Sequence, residues 1–217
     1  SDKATQQLQT VIDLLHTYKN RFSANDADSE LMAVNQAAGV KPVNVHSDLL
    51  NLIQIGKTHS LSTPSNLNIA IGPLVQTWRI GFEDARVPNH SLISRQLALT
   101  DPKQVIIDDK EQTVFLQQAG MALDLGALAK GYIADKVMAY LIRDGIDSAL
   151  INLGGNVLVH GPNPKRADAA FHVGIQKPGA KRGQHLGVIK INNQSVVTSG
   201  IYAVSYTHLT LPTSDLV

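Results

Sequence analysis

The chain has no cysteine in its 217 residues. Disulfides, thiolate metal sites and a cysteine nucleophile are thereby excluded, while the redox compartment stays open. Excess charge is missing too. Nineteen Lys and Arg stand against 18 Asp and Glu for a net +1, which makes no electrostatic case for nucleic acid or a membrane surface. No apolar run approaches the roughly eighteen residues of a spanning helix. Aromatic residues are 5% of the chain, with one tryptophan. The chain begins at Ser1 with neither methionine nor signal segment, so we expect a processed or trimmed product.

Apolar residues at 43% and charged ones at 17% are ordinary for a globular protein, and the length suits one substantial domain rather than two. The stretch that organises it runs from Gly120 to Gly161. Met121 to Leu125 alternates in the manner of a strand with one buried face. A helix follows on Leu128, Ile133, Val137, Met138 and Leu141, and Gly145 stands where a helix ends. Ala149 to Leu153, Gly154-Gly155 and Val157 to Val159 then read as a hairpin.

At the join of strand and helix, Gly126 and Gly131 flank Ala127, Leu128, Ala129 and Lys130. Free N–H groups, the positive end of a helix dipole and one lysine make an anion seat. The spacing is neither that of a P-loop nor GxGxxG, and the glycines read first as a means of tight strand-to-helix packing.

Elsewhere the pattern is α+β, a single domain with helices packed on a mixed or mostly antiparallel sheet. Leu8, Val11, Ile12, Leu15 and Tyr18 form one helical stripe, Leu31 and Val34 mark a shorter helix, and Ser47 caps a third through Ile53. An apolar run from Asn66 to Val75 closes at Gly72-Pro73, and a short helix starts near Ser91. Trp78 reads as core before it reads as a ring-stacking platform. Val105 to Ile107 and Thr113 to Leu116 bracket a solvated turn at Asp108 to Glu111. Asn163 to Asp168 is an exposed basic loop, and strands follow at Phe171 to Ile175, Val188 to Ile191 and Ser195 to Val197.

DLGALAKGYIAD (Asp124 to Asp135), with LINLGGN (Leu150 to Asn156) after it, resembles the central signature of the FAD:protein FMN transferases, formerly labelled thiamine-biosynthesis lipoproteins. FSANDADSEL (Phe22 to Leu31), NLNIAIGPLVQTWRIGF (Asn66 to Phe82) and VVTSGIY (Val196 to Tyr202) fit in the same order. The resemblance implies a flavin transferase-like fold and a magnesium-dependent transfer of FMN from FAD to a Thr or Ser of a target protein. It further implies a lipoprotein tethered outside the cytoplasm, through a cysteine upstream of Ser1, and acceptors in membrane or extracellular electron transfer. For the site it implies that Asn66, Leu67, Asn68, Asp124, Lys130 and Thr198 bind FAD and that the Ala127 carbonyl is one magnesium ligand. Asn152, Gly154 and Gly155 would line the nucleotide crevice, although hairpin geometry alone accounts for the two glycines.

The chain departs from the family in three places. Leu67-Asn68 replaces the usual Phe-Asp, so backbone contacts to a flavin survive and an ionic role does not. A flavin-contacting strand expected before the first helix is absent. After Tyr202 the expected histidine pair and Asp-Pro give way to VSYTHLTLPT, similar to a translated sequencing adapter. Residues 1–202 are therefore read as an incomplete transferase domain and residues 203–217 as a non-native tail, with the catalytic groups and remaining metal ligands lying in the segment it replaces. Ser205, His208 and Asp215 are on this reading no triad, and the truncated sheet edges imply marginal stability. Two other functions fit the same residues: a module that holds FAD without catalysis, and an FAD pyrophosphatase releasing FMN and AMP.

Overall fold

The structure, a computed structural model, describes residues 2–181 and 183–198. Contacts divide it into two compact units, one ending at Tyr132 and the other beginning at Ile133. Ser199, Gly200 and the whole stretch from Ile201, with Ser205, His208 and Asp215, lie outside the described residues.

In the first unit α1 (Asp2–Phe22) opens the chain. Its apolar stripe is covered only near its end: Tyr18 and Phe22 are buried, whereas Leu8 is 61% exposed. α2 (Glu30–Gln36) is capped by Ser29, whose Oγ accepts from the Met32 N–H and donates to the Ser23 carbonyl. After β1 (Val43–Asn44), α3 spans Ser47–Leu61. Its cap is His46 rather than Ser47, because the imidazole Nδ1 accepts the Asp48 N–H at 3.1 Å. A 3-10 turn at Ile69–Ile71 leads into α4 (Gly72–Trp78), so Gly72-Pro73 opens a helix instead of closing the apolar run. α5 (His90–Leu97) starts one residue before the expected Ser91.

β2 (Val105–Asp108) and β3 (Thr113–Leu116) form the expected hairpin, and β1 joins it in the antiparallel order β1-β3-β2. Val105 opposite Leu116, and Val114 beside Val43, turn one face inward. With Leu31, Leu49, Leu52 and Ile53 these side chains make the core, each fully buried aliphatic stabilising the unit by about 1.5–3 kcal/mol.

Met121 to Leu125 is not a strand. Its backbone groups find partners outside any sheet: the Leu123 N–H donates to Asn35 Oδ1 at 2.7 Å, and the Asp124 N–H to the Ile69 carbonyl at 2.9 Å. Met121, Ala122, Leu123 and Leu125 are all buried, so the segment threads the core on both sides and only Asp124 emerges. α6 (Gly126–Arg143) follows directly, and Gly145 takes φ 84° just past its end, as expected.

The second unit holds β4 (Ala149–Leu153) and β5 (Asn156–His160), joined by Gly154 and Gly155 with φ of 60° and 92°, the positive values that a two-residue hairpin turn requires. β6 (Phe171–Gln176) pairs with β7 (His185–Ile191), and β8 (Ser195–Val197) adds to β5 in the order β4-β5-β8. Val157, Val159 and Ile191 form its core, with Phe171, Val173 and Val196 packed against them. Every described strand pair is antiparallel, and the chain is α+β.

Candidate functional site

Asp124 is where the first unit becomes chemical. The segment around it is buried, so its side chain is fixed at the edge of the core, and its Oδ1 accepts the Gly126 N–H at 2.8 Å. It thus caps the first turn of α6, while its second oxygen makes no hydrogen bond among the described residues. Lys130, in the second turn of the same helix, is exposed and in no ion pair among the described residues. The helix N-terminus, one lysine and one carboxylate therefore share an end of α6, where the dipole favours an anion.

Asp124 also lines a pocket with Leu123. The opposite walls come from Ala24 and Asn25, which follow α1, and from Gly72, Val75, Gln76, Arg79 and Phe82. Gly72 makes this approach possible: a Cβ there would stand 2.5 Å from the Ala122 carbonyl oxygen. Three stretches far apart in the chain, each singled out in the sequence, are thus brought to one place.

The Asn66 to Asn68 segment is placed less directly. Asn66 is exposed, Leu67 and Asn68 are half-buried, and none of them is in the pocket wall. The Asn68 amide is committed internally, since its Oδ1 accepts the Ala70 N–H at 2.9 Å and its Nδ2 donates to the Thr100 carbonyl at 2.8 Å. An amide does both jobs where a carboxylate could do only the first. Trp78 is half-buried, and the aromatic wall of the pocket is Phe82. Neither spacing nor periodicity marks Arg79 and Phe82 as site residues; the available signal is that both lie within four residues of Trp78 in the stretch from Asn66 to Phe82.

In the second unit Thr198 is exposed and donates its N–H to the Gly155 carbonyl at 3.1 Å. Asn152 Oδ1 accepts the Gly155 N–H at 3.0 Å, bracing the turn. Thr198, Asn152 and Gly155 therefore do form one cluster, and the hairpin itself explains Asn152 and both glycines.

The pocket's aliphatic walls carry an arginine, two amides and a carboxylate, the kinds of group that pair with the polar edges of a nucleotide. Magnesium is a different matter. Ala127 is the second residue of α6, so its carbonyl lies in the helical ladder, and no three His, Asp or Glu side chains converge among the described residues. The described residues do not make a magnesium site by themselves. A broader depression along α3 between Ser47 and His59 is lined by that helix alone and holds none of the candidate residues.

Comparison with known proteins agrees with the motifs. The model of the ApbE family matches residues 2–212. A curated FAD:protein FMN transferase from Klebsiella pneumoniae (strain 342) is 47% identical over 192 residues, 88% of this chain and 58% of the relative. One from Treponema pallidum (strain Nichols) is 37% identical over 206 residues, 90% of this chain and 57% of the relative. The chain thus spans under three fifths of the length of these two relatives. Among solved structures, the ApbE protein of Thermotoga maritima superposes with a TM-score of 0.85 at 23% identity, covering 96% of this chain and 66% of that one. The flavin transferase ApbE of Vibrio cholerae does so with a TM-score of 0.78 at 26% identity, covering 90% and 63%.

Proposed function

The chain belongs to the ApbE family, and from that premise we propose that it is part of an FAD:protein FMN transferase. In this reaction a Thr or Ser hydroxyl oxygen of the target protein forms a bond to the FMN phosphorus of FAD. The bond from that phosphorus to the bridging oxygen breaks, AMP leaves with the bridging oxygen, and the hydroxyl proton passes to a base or to solvent. The convergence of residues 24–25, 72–82 and 123–124 on one pocket, beside the N-terminus of α6, is the observation that carries the reading.

Each residue has a physical part in it. The α6 N-terminus and Lys130 favour the pyrophosphate, Asp124 holds the first turn of α6 in place while lending its second oxygen to the nucleotide, and the backbone of Asn66 to Asn68 meets the flavin. Thr198 belongs to the reading as a hydroxyl ligand. Magnesium dependence, with the Ala127 carbonyl as one ligand, also belongs to it; bound magnesium would neutralise phosphate charge. The native protein, on this reading, is an extracytoplasmic lipoprotein acting on membrane or extracellular electron-transfer proteins. Residues 203–217 are an adapter-derived tail behind the domain of residues 1–202, which resequencing the gene downstream of Tyr202 tests directly.

The activity is tested by incubating the chain, and a version whose own sequence downstream of Tyr202 is restored, with FAD, magnesium chloride and a pool of peptides bearing central Thr or Ser. Covalent FMN on a peptide with the restored version only, AMP being released in step, is the expected result; equal transfer by both would overturn the reading of residues 203–217 as an adapter-derived tail. FMN and AMP released by the restored version without any peptide would make it a hydrolase, and FAD held intact would make it a binding module; either replaces the transferase reading.

A further inference from the structure

Arg79 occupies a backbone conformation that costs an arginine something. It is the residue just past α4, at φ 56° and ψ 36°, a left-handed position that glycine takes without penalty. What the side chain does there is specific. Its Nε lies 3.1 Å from each oxygen of Asp84, and its guanidinium lies over the Phe82 ring, 4.2 Å from the centroid. The loop is pinned beyond this by Arg86, whose N–H donates to the Trp78 carbonyl at 3.1 Å and whose Nε donates to the Thr77 carbonyl at 3.0 Å. Arg79 and Phe82 both line the pocket, and the Phe82 residue remains 42% exposed.

A guanidinium held over an aromatic ring is a planar, cationic group fixed in place before any ligand arrives. Such a group stacks on planar heteroaromatic rings, and arginine does this better than lysine because its charge is spread over a plane. The facing wall supplies the complement. Leu123 there is aliphatic, and Asp124 keeps one carboxylate oxygen for a ring N–H or amino group. We propose that the Arg79–Phe82 pair is a stacking platform for a planar heteroaromatic ring of the nucleotide, and that it, rather than Trp78, serves as the aromatic wall of the binding pocket. This rests on the reading that the chain binds FAD. FAD carries two such rings, the flavin and the adenine, and both have the N–H or amino group that Asp124 would accept from.

The two rings are separated by measuring affinities of the full chain and its variants for FAD, FMN and ADP by calorimetry, with the flavin absorption band recorded alongside. Arg79→Gly suits the left-handed position and removes the platform without straining the backbone; Arg79→Lys keeps the charge and removes the plane. Both are expected to weaken FAD about tenfold while the thermal midpoint stays within a few degrees of the parent. If FMN weakens in parallel and ADP does not, with a change in the flavin band, the flavin is the stacked ring; the reverse assigns the adenine. FAD, FMN and ADP all binding both variants as tightly as the parent would overturn the proposal while leaving the family reading intact. A parent chain that binds none of the three overturns both.

Discussion

Asn35 and Leu123, 88 positions apart, clasp each other through both backbone groups of the leucine. The Asn35 Nδ2 donates to the Leu123 carbonyl at 3.1 Å, and the Leu123 N–H donates back to Asn35 Oδ1 at 2.7 Å. One side-chain amide thus stands in for a neighbouring strand along the buried segment that delivers Asp124.

Asn35→Ala leaves a donor and an acceptor of fully buried Leu123 without partners, which costs roughly 2–4 kcal/mol. Asn35→Leu restores the volume but not the hydrogen bonds, and should fare no better. Urea unfolding of the three proteins checks this; a leucine variant as stable as the parent would mean that packing, not pairing, is what the site needs.

Gly72→Ala sets two effects against each other. Alanine gains about 1 kcal/mol over glycine from helix propensity. Its Cβ would, however, sit 2.5 Å from the oxygen and 2.8 Å from the carbon of the Ala122 carbonyl, backbone atoms that cannot swing aside. Overpacking of this kind costs about 1–3 kcal/mol, so the variant should be less stable on balance, with a lower denaturant midpoint. A stabilised variant would contradict the close approach.

Lys130→Ala removes an exposed charge and should leave stability within about 0.5 kcal/mol of the parent. If the α6 N-terminus receives the pyrophosphate, FAD affinity falls by about 1 kcal/mol, and the remaining binding depends less on salt. Titrations at low and high ionic strength decide it, because equal affinities at both would place the phosphates elsewhere.

Asp168 accepts from His172 Nε2 at 2.8 Å and from Lys190 Nζ at 3.0 Å. The hydrogen bond from His172, then that from Lys190, hold its carboxyl well below the ordinary 3.8. Since the folded value lies under the unfolded one, the stabilisation is present in full above about pH 4 and drains away as pH falls towards the folded value. The stability gap between the parent and Asp168→Asn should therefore be wider at pH 6 than at pH 3. A gap that does not move with pH would show that the carboxylate's charge is irrelevant.

Local signals were readable where the chain answers to itself. Gly154 and Gly155 predicted their hairpin, Asp108 to Glu111 its neighbour, and Gly145 the end of α6, because turn and cap conformations depend on a few adjacent residues. Met121 to Leu125 was misread for the opposite reason: its backbone partners are the Asn35 amide and the Ile69 carbonyl, which no period within the segment can announce. Likewise, a histidine acting as the cap of α3 displaced the more common serine by one residue. Of the candidate site, Lys130 is marked in the sequence by the glycines that flank it, and Asp124 by the family motif that carries it. The Arg79 and Phe82 wall is not so marked, since pocket membership is decided by which distant segments meet.

Asp48 has a wider reach than its place in the first turn of α3 suggests. Arg21 Nη1 of α1 lies 3.1 Å from one of its oxygens, and the Tyr132 hydroxyl of α6 donates to the other at 3.1 Å; Phe22 packs edge-on to the Tyr132 ring at 5.6 Å. α1 could be mistaken for a peripheral arm, given how exposed its first turns are. Its last turn is instead wired through a single carboxylate to the helix that bears Lys130, so any disturbance that frays α1 back to Arg21 withdraws a counter-charge from the same anchor that steadies the opening turns of α6.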